Sequence, residues 1–301
     1  MKTKKGKNLI VFSDKKRHET DGIVTNWNLI EIPCGQCMDC RRKRRKEWSI
    51  RLMYELPKHN NSYFITLTYD DEHLPENNSL VTKDMQQFIK RWRGSKTSDY
   101  RRLGLKMYYC GEYGDLYKRP HYHMIRFLDN EIPDLTYYKA SDGGPLYTSE
   151  LLSKRWGMGY VVIGSVTQES CEYVRGYINK KILGKGRKVY EERGVIPPFT
   201  ISSNGISILD EKQLKEIYRY DTIHIAGRAG NIKNFKPPKD FDKQLEQYDK
   251  DWYDMIKDHR REIRIIERER VLMNTTQPED EYLLTAAQNR DRKTVSERKD
   301  L

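Results

Sequence analysis

The sequence predicts an α+β protein: a central antiparallel sheet flanked by helices, followed by a charged, mostly helical C-terminal extension. Three observations carry this expectation. Short β-forming runs such as NSYFITLTY, KMYYCGEYG and GYVVIGSVT are interleaved with segments of helical periodicity. Two of the runs are separated by a polar loop too short for a parallel crossover, so they must pair as a hairpin. Beyond about residue 186 the β-forming runs give way to dense charge.

Residues 1–30 read as a polar N-terminal arm with a short strand or two. After Cys40 the segment CRRKRRKEWSIRLMYELPKH places Trp48, Leu52 and Tyr54 or Glu55 near helical spacing, with Pro57 as a stop. The run NSYFITLTYDDEHLP predicts a buried strand through Phe64, Ile65 and Leu67, closed by acidic turn residues and Pro75. In TKDMQQFIKRWRG, Met85, Phe88, Ile89 and Trp92 recur at i, i+3, i+4 and i+7, with Thr82 expected to cap the start and Gly94 to end the helix. Residues 106–114 and 121–127 follow as the two strands of the hairpin. Asn130 to Pro145 reads as turn-rich, then come a short helix around TSELLSKRW and the strand GYVVIGSVT. The segment from Gln168 to Leu183 has helical spacing, with Gly184 after it. GKGRKVYEERGVIPPF reads as a loop, residues 207–221 as a helix, DWYDMIKDHRREIRIIERERVL as another, and the last twenty-five residues as disordered.

Composition narrows the partner. The 301 residues contain 56 Lys and Arg against 44 Asp and Glu, a net charge of +12, which points to a polyanion. No apolar stretch is long enough to span a bilayer, and the first residues lack the apolar core of a secretion signal, so a soluble intracellular protein acting on nucleic acid is expected, with no membrane partner. Five cysteines without a secretion signal predict reduced thiols. GKGRK lacks the spacing and the hydroxyl of a phosphate-binding loop, so no ATPase or helicase activity is expected.

The chemistry gathers around RPHYHMIRF. His121 and His123, two apart in a strand, project to one face with Tyr122 on the other. Glu112 lies on the preceding strand, and hairpin pairing would bring its carboxylate to the same side. Two imidazoles and a carboxylate leave open positions on a divalent ion and suit Mg²⁺ or Mn²⁺ better than a closed zinc site. An HxH alone is commonly structural. A second element adds weight: in CEYVRGYINKK, Tyr173 and Tyr177 at i and i+4 share a helix face about 6 Å apart, with Lys180 further along it. Two phenols beside an ammonium group and a metal can perform phosphoryl transfer. A tyrosine oxygen attacks a phosphate polarised by the metal, a 3′-hydroxyl leaves, and the second tyrosine permits a second transfer.

PHYH, followed some fifty residues later by YVRGYINK and preceded by FITLTYD, resembles the HUH endonucleases that initiate rolling-circle replication, in their two-tyrosine branch. The ordering of PCGQCMDCRRKRRKEW and YCGEYGDLYKRPHYH around these motifs looks like the replication initiators of gokushovirus-type microviruses, small single-stranded DNA phages. The resemblance covers roughly residues 30–185. It implies an HUH-type sheet in an endonuclease domain at 31–185, with residues 186–301 as an extension. It further implies metal ligation by His121 and His123, with Glu112 as a third ligand, nucleophilic roles for Tyr173 and Tyr177, and a phosphate or metal-adjacent role for Lys180. The activity would be nicking and rejoining of origin DNA in the cytoplasm of the bacterial host, alongside host helicase and DNA polymerase. Tyr122 replaces the usual bulky aliphatic residue between the histidines.

Other features carry their own expectations. Arg41, Arg42, Lys43, Arg44, Arg45 and Lys46 form six consecutive cations at the start of a helix, where the macrodipole disfavours them; DNA phosphate is the expected counter-charge. Cys34, Cys37 and Cys40 would make a structural Zn²⁺ site given a fourth ligand such as Cys110 or His59, or else a reduced turn leading into the helix. Asp70, Asp71 and Glu72 read as an ordinary turn. Two rivals stand beside the initiator reading: a plasmid or transposon nuclease of the same chemistry, and a non-enzymatic zinc-containing DNA-binding protein. A histidine-triad hydrolase is disfavoured because Ile125 occupies the third alternating position.

Overall fold

Strand β3 (Asn61–Tyr69) is the spine of the molecule, and its burial alternates: Ile65, Leu67 and Tyr69 are buried while Thr66 and Thr68 are only half so. In the computed structural model the described residues are 9–13, 27–31, 38–94, 106–114, 117–141, 143–166, 188–226, 231–278 and a few positions between 281 and 289. Chain order is β1 (Leu9–Ser13), β2 (Trp27–Glu31), α1 (Met38–Glu55), β3, α2 (Thr82–Arg93), β4 (Met107–Tyr113), β5 (Pro120–Leu128), β6 (Leu135–Ser141), β7 (Gly144–Ser149), α3 (Glu150–Trp156) and β8 (Gly159–Ser165). There follow α4 (Lys188–Glu192), β9 (Phe199–Ser202), α5 (Glu211–Arg219), β10 (Ile223–Ala226), β11 (Ile232–Phe235), α6 (Lys239–Tyr248) and α7 (Lys250–Met273). Seven strands form one antiparallel sheet in the order β6-β7-β8-β3-β5-β4-β9. The expected α+β architecture, with a central antiparallel sheet and a helical C-terminal part, is what the chain adopts.

The period-two alternation of β3 and β5 sends side chains to two different cores. On one face Ile65, Leu67, Tyr122 and Met124 pack with Met85, Phe88 and Trp92 of α2 and Leu152 and Trp156 of α3. On the other, Phe64, Ile125, Phe127 and Tyr108 pack under Trp48 and Leu52 of α1. A quarter-turn around α1, Ile50 and Tyr54 join a third cluster with Leu214, Ile217 and Tyr218 of α5 and Phe241 and Leu245 of α6. Helix α1 is thus a shared wall between the sheet and the C-terminal helices. Buried Glu55 reinforces that seam: its carboxylate meets Lys106 Nζ at 2.7 Å, His59 Nε2 at 2.7 Å and the Ser207 N–H at 2.6 Å.

Several expectations change. Thr82 is not the cap of α2; Val81 is, with no side-chain cap bond, because the Tyr122 hydroxyl, bonded to both the N–H (2.8 Å) and the carbonyl (2.9 Å) of Val81, pins the helix start. The turn-rich stretch after Asn130 contains the hairpin β6–β7; the side chains of β6 are mostly exposed on both faces, so no hydrophobic alternation marked it. The loop GKGRKVYEERGVIPPF contributes the short helix α4 and leads into the edge strand β9, which pairs with β4. Two prolines suit the approach to an edge strand, where donors face away from the sheet. The helix expected over 207–221 begins only at Glu211, behind an Asp210–Gln213 capping box, because residues 207–209 form an extended strap held by Glu55, Arg51 and Gln244. Within the last twenty-five residues the Tyr282 N–H donates to the Pro278 carbonyl in a helical turn.

Candidate metal and DNA site

Hairpin β4–β5 places Glu112 opposite His121 and Cys110 opposite His123. On the other side, β3 sets Thr68 opposite His121 and Thr66 opposite His123. Directly opposed residues share a face, so both imidazoles, the carboxylate and two threonine hydroxyls converge. Tyr122 faces the opposite core, as expected, fully buried against Tyr69 and Trp156. Ile125 is a core residue under α1.

The Glu112 Oε1 atom lies 2.9 Å from His121 Nε2 and 3.3 Å from His123 Nε2, and one ligand atom from each residue falls within 4.8 Å of the others. Glu112 and His123 are buried and His121 half-buried. Burial works against the charged Glu112 carboxylate, but hydrogen bonds and charge from His121 and His123 more than offset it and hold the group at about 2. His121 Nδ1 lies 3.1 Å from the Arg119 carbonyl, which can only accept, so Nδ1 carries a proton. In the neutral ring, Nε2 then presents a lone pair to a carboxylate oxygen. Such a contact between two acceptors calls for a cation between them, and this donor set fits a divalent metal. His123 is oriented by the Thr66 hydroxyl, 3.0 Å from its Nδ1, and by the Phe64 ring stacked on it at 5.4 Å. Neither Thr66 nor the Arg119 carbonyl was singled out from sequence, although FITLTYD already shows polar Thr66 and Thr68 alternating with core residues.

Helix α1 runs over the same sheet face. Just past its C-terminal end the His59 ring lies 5.4 Å from Phe127, and within the helix Trp48 lies 4.9 Å from Tyr108, the residue opposite Ile125. Going back along the helix from Trp48 therefore goes the same way as β5 from Ile125 to His121. Seven helical residues rise about 10 Å and four strand residues about 13 Å, which brings Arg41 and Arg44 level with the Glu112–His121–His123 group. Within the basic run Lys43 and Lys46 are exposed, while Arg41, Arg42, Arg44 and Arg45 are half-buried. Lys46 sits 6.0 Å from the Phe235 ring.

Cys40 is half-buried at the start of α1, with a free thiol. His59 cannot join it in a zinc site, because the length of α1 separates them and His59 is bonded to Glu55 and Asp129. Cys110 is buried in β4. Cys34, Cys37, Tyr173, Tyr177 and Lys180, with the helix expected from Gln168 to Leu183, lie outside the described residues. The acidic turn is structural, as expected: Asp70 accepts from the His73 N–H at 2.9 Å and Asp71 pairs with Arg119 at 2.7 Å. Among the described residues, no helix is long and apolar enough to cross a membrane.

Residues 62–182 match the family model of the replication-associated protein ORF2, a span that includes the histidine pair, Glu112, Tyr173, Tyr177 and Lys180. The chain is similar to the replication-associated protein ORF2 of Spiroplasma virus 4, 34% identical over 266 residues that make up 82% of this chain and 80% of that protein. It is also similar to the replication-associated protein VP4 of Bdellovibrio phage phiMH2K, 37% identical over 58% of this chain and 54% of the relative. The replication-associated protein ORF4 of Chlamydia phage 1 is 32% identical over 50% of this chain and 39% of its own length. No solved structure matches the chain.

Proposed function

The chain belongs to the replication-associated protein family of gokushovirus-type microviruses, and on that premise we propose that it is a metal-dependent, site-specific endonuclease and ligase that nicks the phage origin and starts rolling-circle replication. The single observation that carries this reading is the convergence of Glu112, His121 and His123 within 4.8 Å on one sheet face. A bound Mg²⁺ or Mn²⁺ would supply Lewis-acid polarisation of the scissile phosphate.

The chain's own residues do the rest. Glu112, His121 and His123 hold the ion, with Thr66 and the Arg119 carbonyl fixing the imidazole orientations. The cations from Arg41 to Lys46 bind the phosphates of the strand presented to it. The hydroxyl oxygen of Tyr173 or Tyr177 forms a bond to phosphorus as the P–O3′ bond breaks, and the phenolic proton passes through solvent to the freed 3′-oxygen. Lys180 neutralises the non-bridging oxygens. The product is a 5′-phosphotyrosine with a free 3′-hydroxyl for a host polymerase. Rejoining is the reverse reaction, with a 3′-hydroxyl attacking the phosphotyrosine, and the second tyrosine allows a new nick while the first end is still held. One phosphodiester replaces another, so no nucleotide hydrolysis is required; a host helicase separates the strands. The site of action is the cytoplasm of the bacterial host.

A labelled origin oligonucleotide incubated with the protein and Mn²⁺ and run on a denaturing gel tests this. A covalent adduct is expected with the natural chain and not with Tyr173→Phe combined with Tyr177→Phe, whereas either single change leaves one nicking event. An adduct surviving the double change would overturn the nucleophile assignment, and no adduct under any condition would favour a non-enzymatic DNA-binding protein.

A further inference from the structure

One row of directly opposed residues crosses four strands at the metal end of the sheet. Tyr160 of β8 faces Thr68 of β3, Thr68 faces His121 of β5, and His121 faces Glu112 of β4. All four side chains project to the same face. Strand spacing puts Tyr160 about 10 Å from His121 and about 14 Å from Glu112. Between them the floor is Thr68, a small hydroxyl-bearing side chain. The result is a shallow trough with a metal-ligand set at one end and a phenol ring at the other.

Tyr160 is 67% exposed. A single exposed aromatic is ordinary on a protein surface, and Tyr137, Tyr138 and Tyr220 are exposed as well. What distinguishes Tyr160 is its place in the row and the rigidity of its backbone. The preceding Gly159 has φ +133°, and a Cβ there would lie 2.3 Å from the Asp70 nitrogen and 2.4 Å from the Thr68 carbonyl oxygen. Only glycine allows β8 to approach β3 this closely. The Asp70 N–H donates to the Met158 carbonyl at 3.0 Å, and from the other side of the sheet the Trp156 indole N–H donates to the Thr68 carbonyl at 3.2 Å. The ring therefore stands on a fixed strand start rather than on a loop.

We propose that Tyr160 is a stacking platform for an unpaired base flanking the phosphate held at Glu112, His121 and His123, so that the site takes single-stranded DNA laid across the strands. This rests on the proposed DNA-nicking function and adds the form of its substrate. A base inside a duplex has both faces covered by its neighbours and cannot stack on a side chain projecting from a sheet. An unpaired base can, whatever its sequence, because every base has a π-face. The phosphates of the same strand would run toward the basic end of α1.

The test measures anisotropy of a fluorescein-labelled oligothymidylate and of a duplex of equal length, with the full chain in EDTA so that nothing is cut, over a series of salt concentrations. Tyr160→Ala is expected to weaken single-strand binding about 5- to 100-fold with an unchanged salt slope, since no phosphate contact is lost. Duplex binding should not change, and Tyr160→Phe, which keeps the ring, should bind single strands as the natural chain does. Undiminished single-strand affinity in Tyr160→Ala, or an equal loss for duplex, would overturn the proposal. Origin nicking by the natural chain alongside either result would leave the endonuclease reading standing and remove only Tyr160 from it; a natural chain that neither binds single strands nor nicks would overturn both.

Discussion

Replacing Glu112 by glutamine keeps the shape of the side chain and removes the charge that both imidazoles meet. A carboxyl held at about 2 rather than at its ordinary 4.5 favours the charged form in the folded protein by about 3 kcal/mol, at roughly 1.4 kcal/mol per tenfold. Because the folded value is depressed, this stabilisation is fully present above the unfolded value near 4.5 and is lost as pH falls from there toward 2. Glutamine, neutral like the protonated acid, should therefore lower the stability of the metal-free protein near pH 7 by about 2–3 kcal/mol. With a urea slope of about 1–3 kcal/mol per molar, the midpoint should move down by roughly 1 M. Tryptophan fluorescence during urea unfolding in EDTA measures this, and the gap between the two proteins should narrow as the buffer is taken below about pH 4.5. Calorimetric titration with Mn²⁺ reads the second consequence, loss of binding. Coincident unfolding curves near neutral pH together with undiminished Mn²⁺ binding would refute the ligand assignment and the electrostatic reasoning behind it.

Other perturbations probe the shells around this group. Thr66→Val removes the hydroxyl that orients His123 and should reduce Mn²⁺ affinity about 10- to 100-fold, seen in the same calorimetric titration. Lys43→Gln with Lys46→Gln removes the two exposed cations of the basic run and should make the log affinity for single-stranded DNA against log salt shallower by about 1.4, at about 0.7 per phosphate contact; an unchanged slope would take these lysines off the DNA path.

The metal group was legible before the fold because two regularities sufficed. Alternation in a strand puts His121 and His123 on one face whatever surrounds them, and a loop too short for a crossover forces β4 and β5 to pair, which fixes which residues of β4 they can meet. The register then had to put Glu112 opposite His121, and it does. The same reasoning located β3, β8, α2 and α3, whose apolar periodicities are strong. It failed at β6–β7 and β9, because edge strands bury few side chains and are held mainly by backbone hydrogen bonds, which leave little trace in residue type. It failed at Thr82, because the start of α2 is set by a tyrosine forty residues away.

From sequence alone came the family resemblance, the histidine pair with its carboxylate, the paired tyrosines with Lys180, and the basic run with its need for a polyanion. All of these are local in the chain: spacing, charge and side-chain chemistry within a few turns or one hairpin. Tertiary structure decided the rest. It made α1 a wall between two cores and carried its cations level with the metal group. It set Thr66 on His123, ruled His59 out of the cysteine cluster, and aligned Tyr160 with Thr68, His121 and Glu112 in one row. These relations join residues tens of positions apart, and they exist only once the order and register of the strands are chosen. That choice is made by burial summed over the whole sheet, and no single segment contains it.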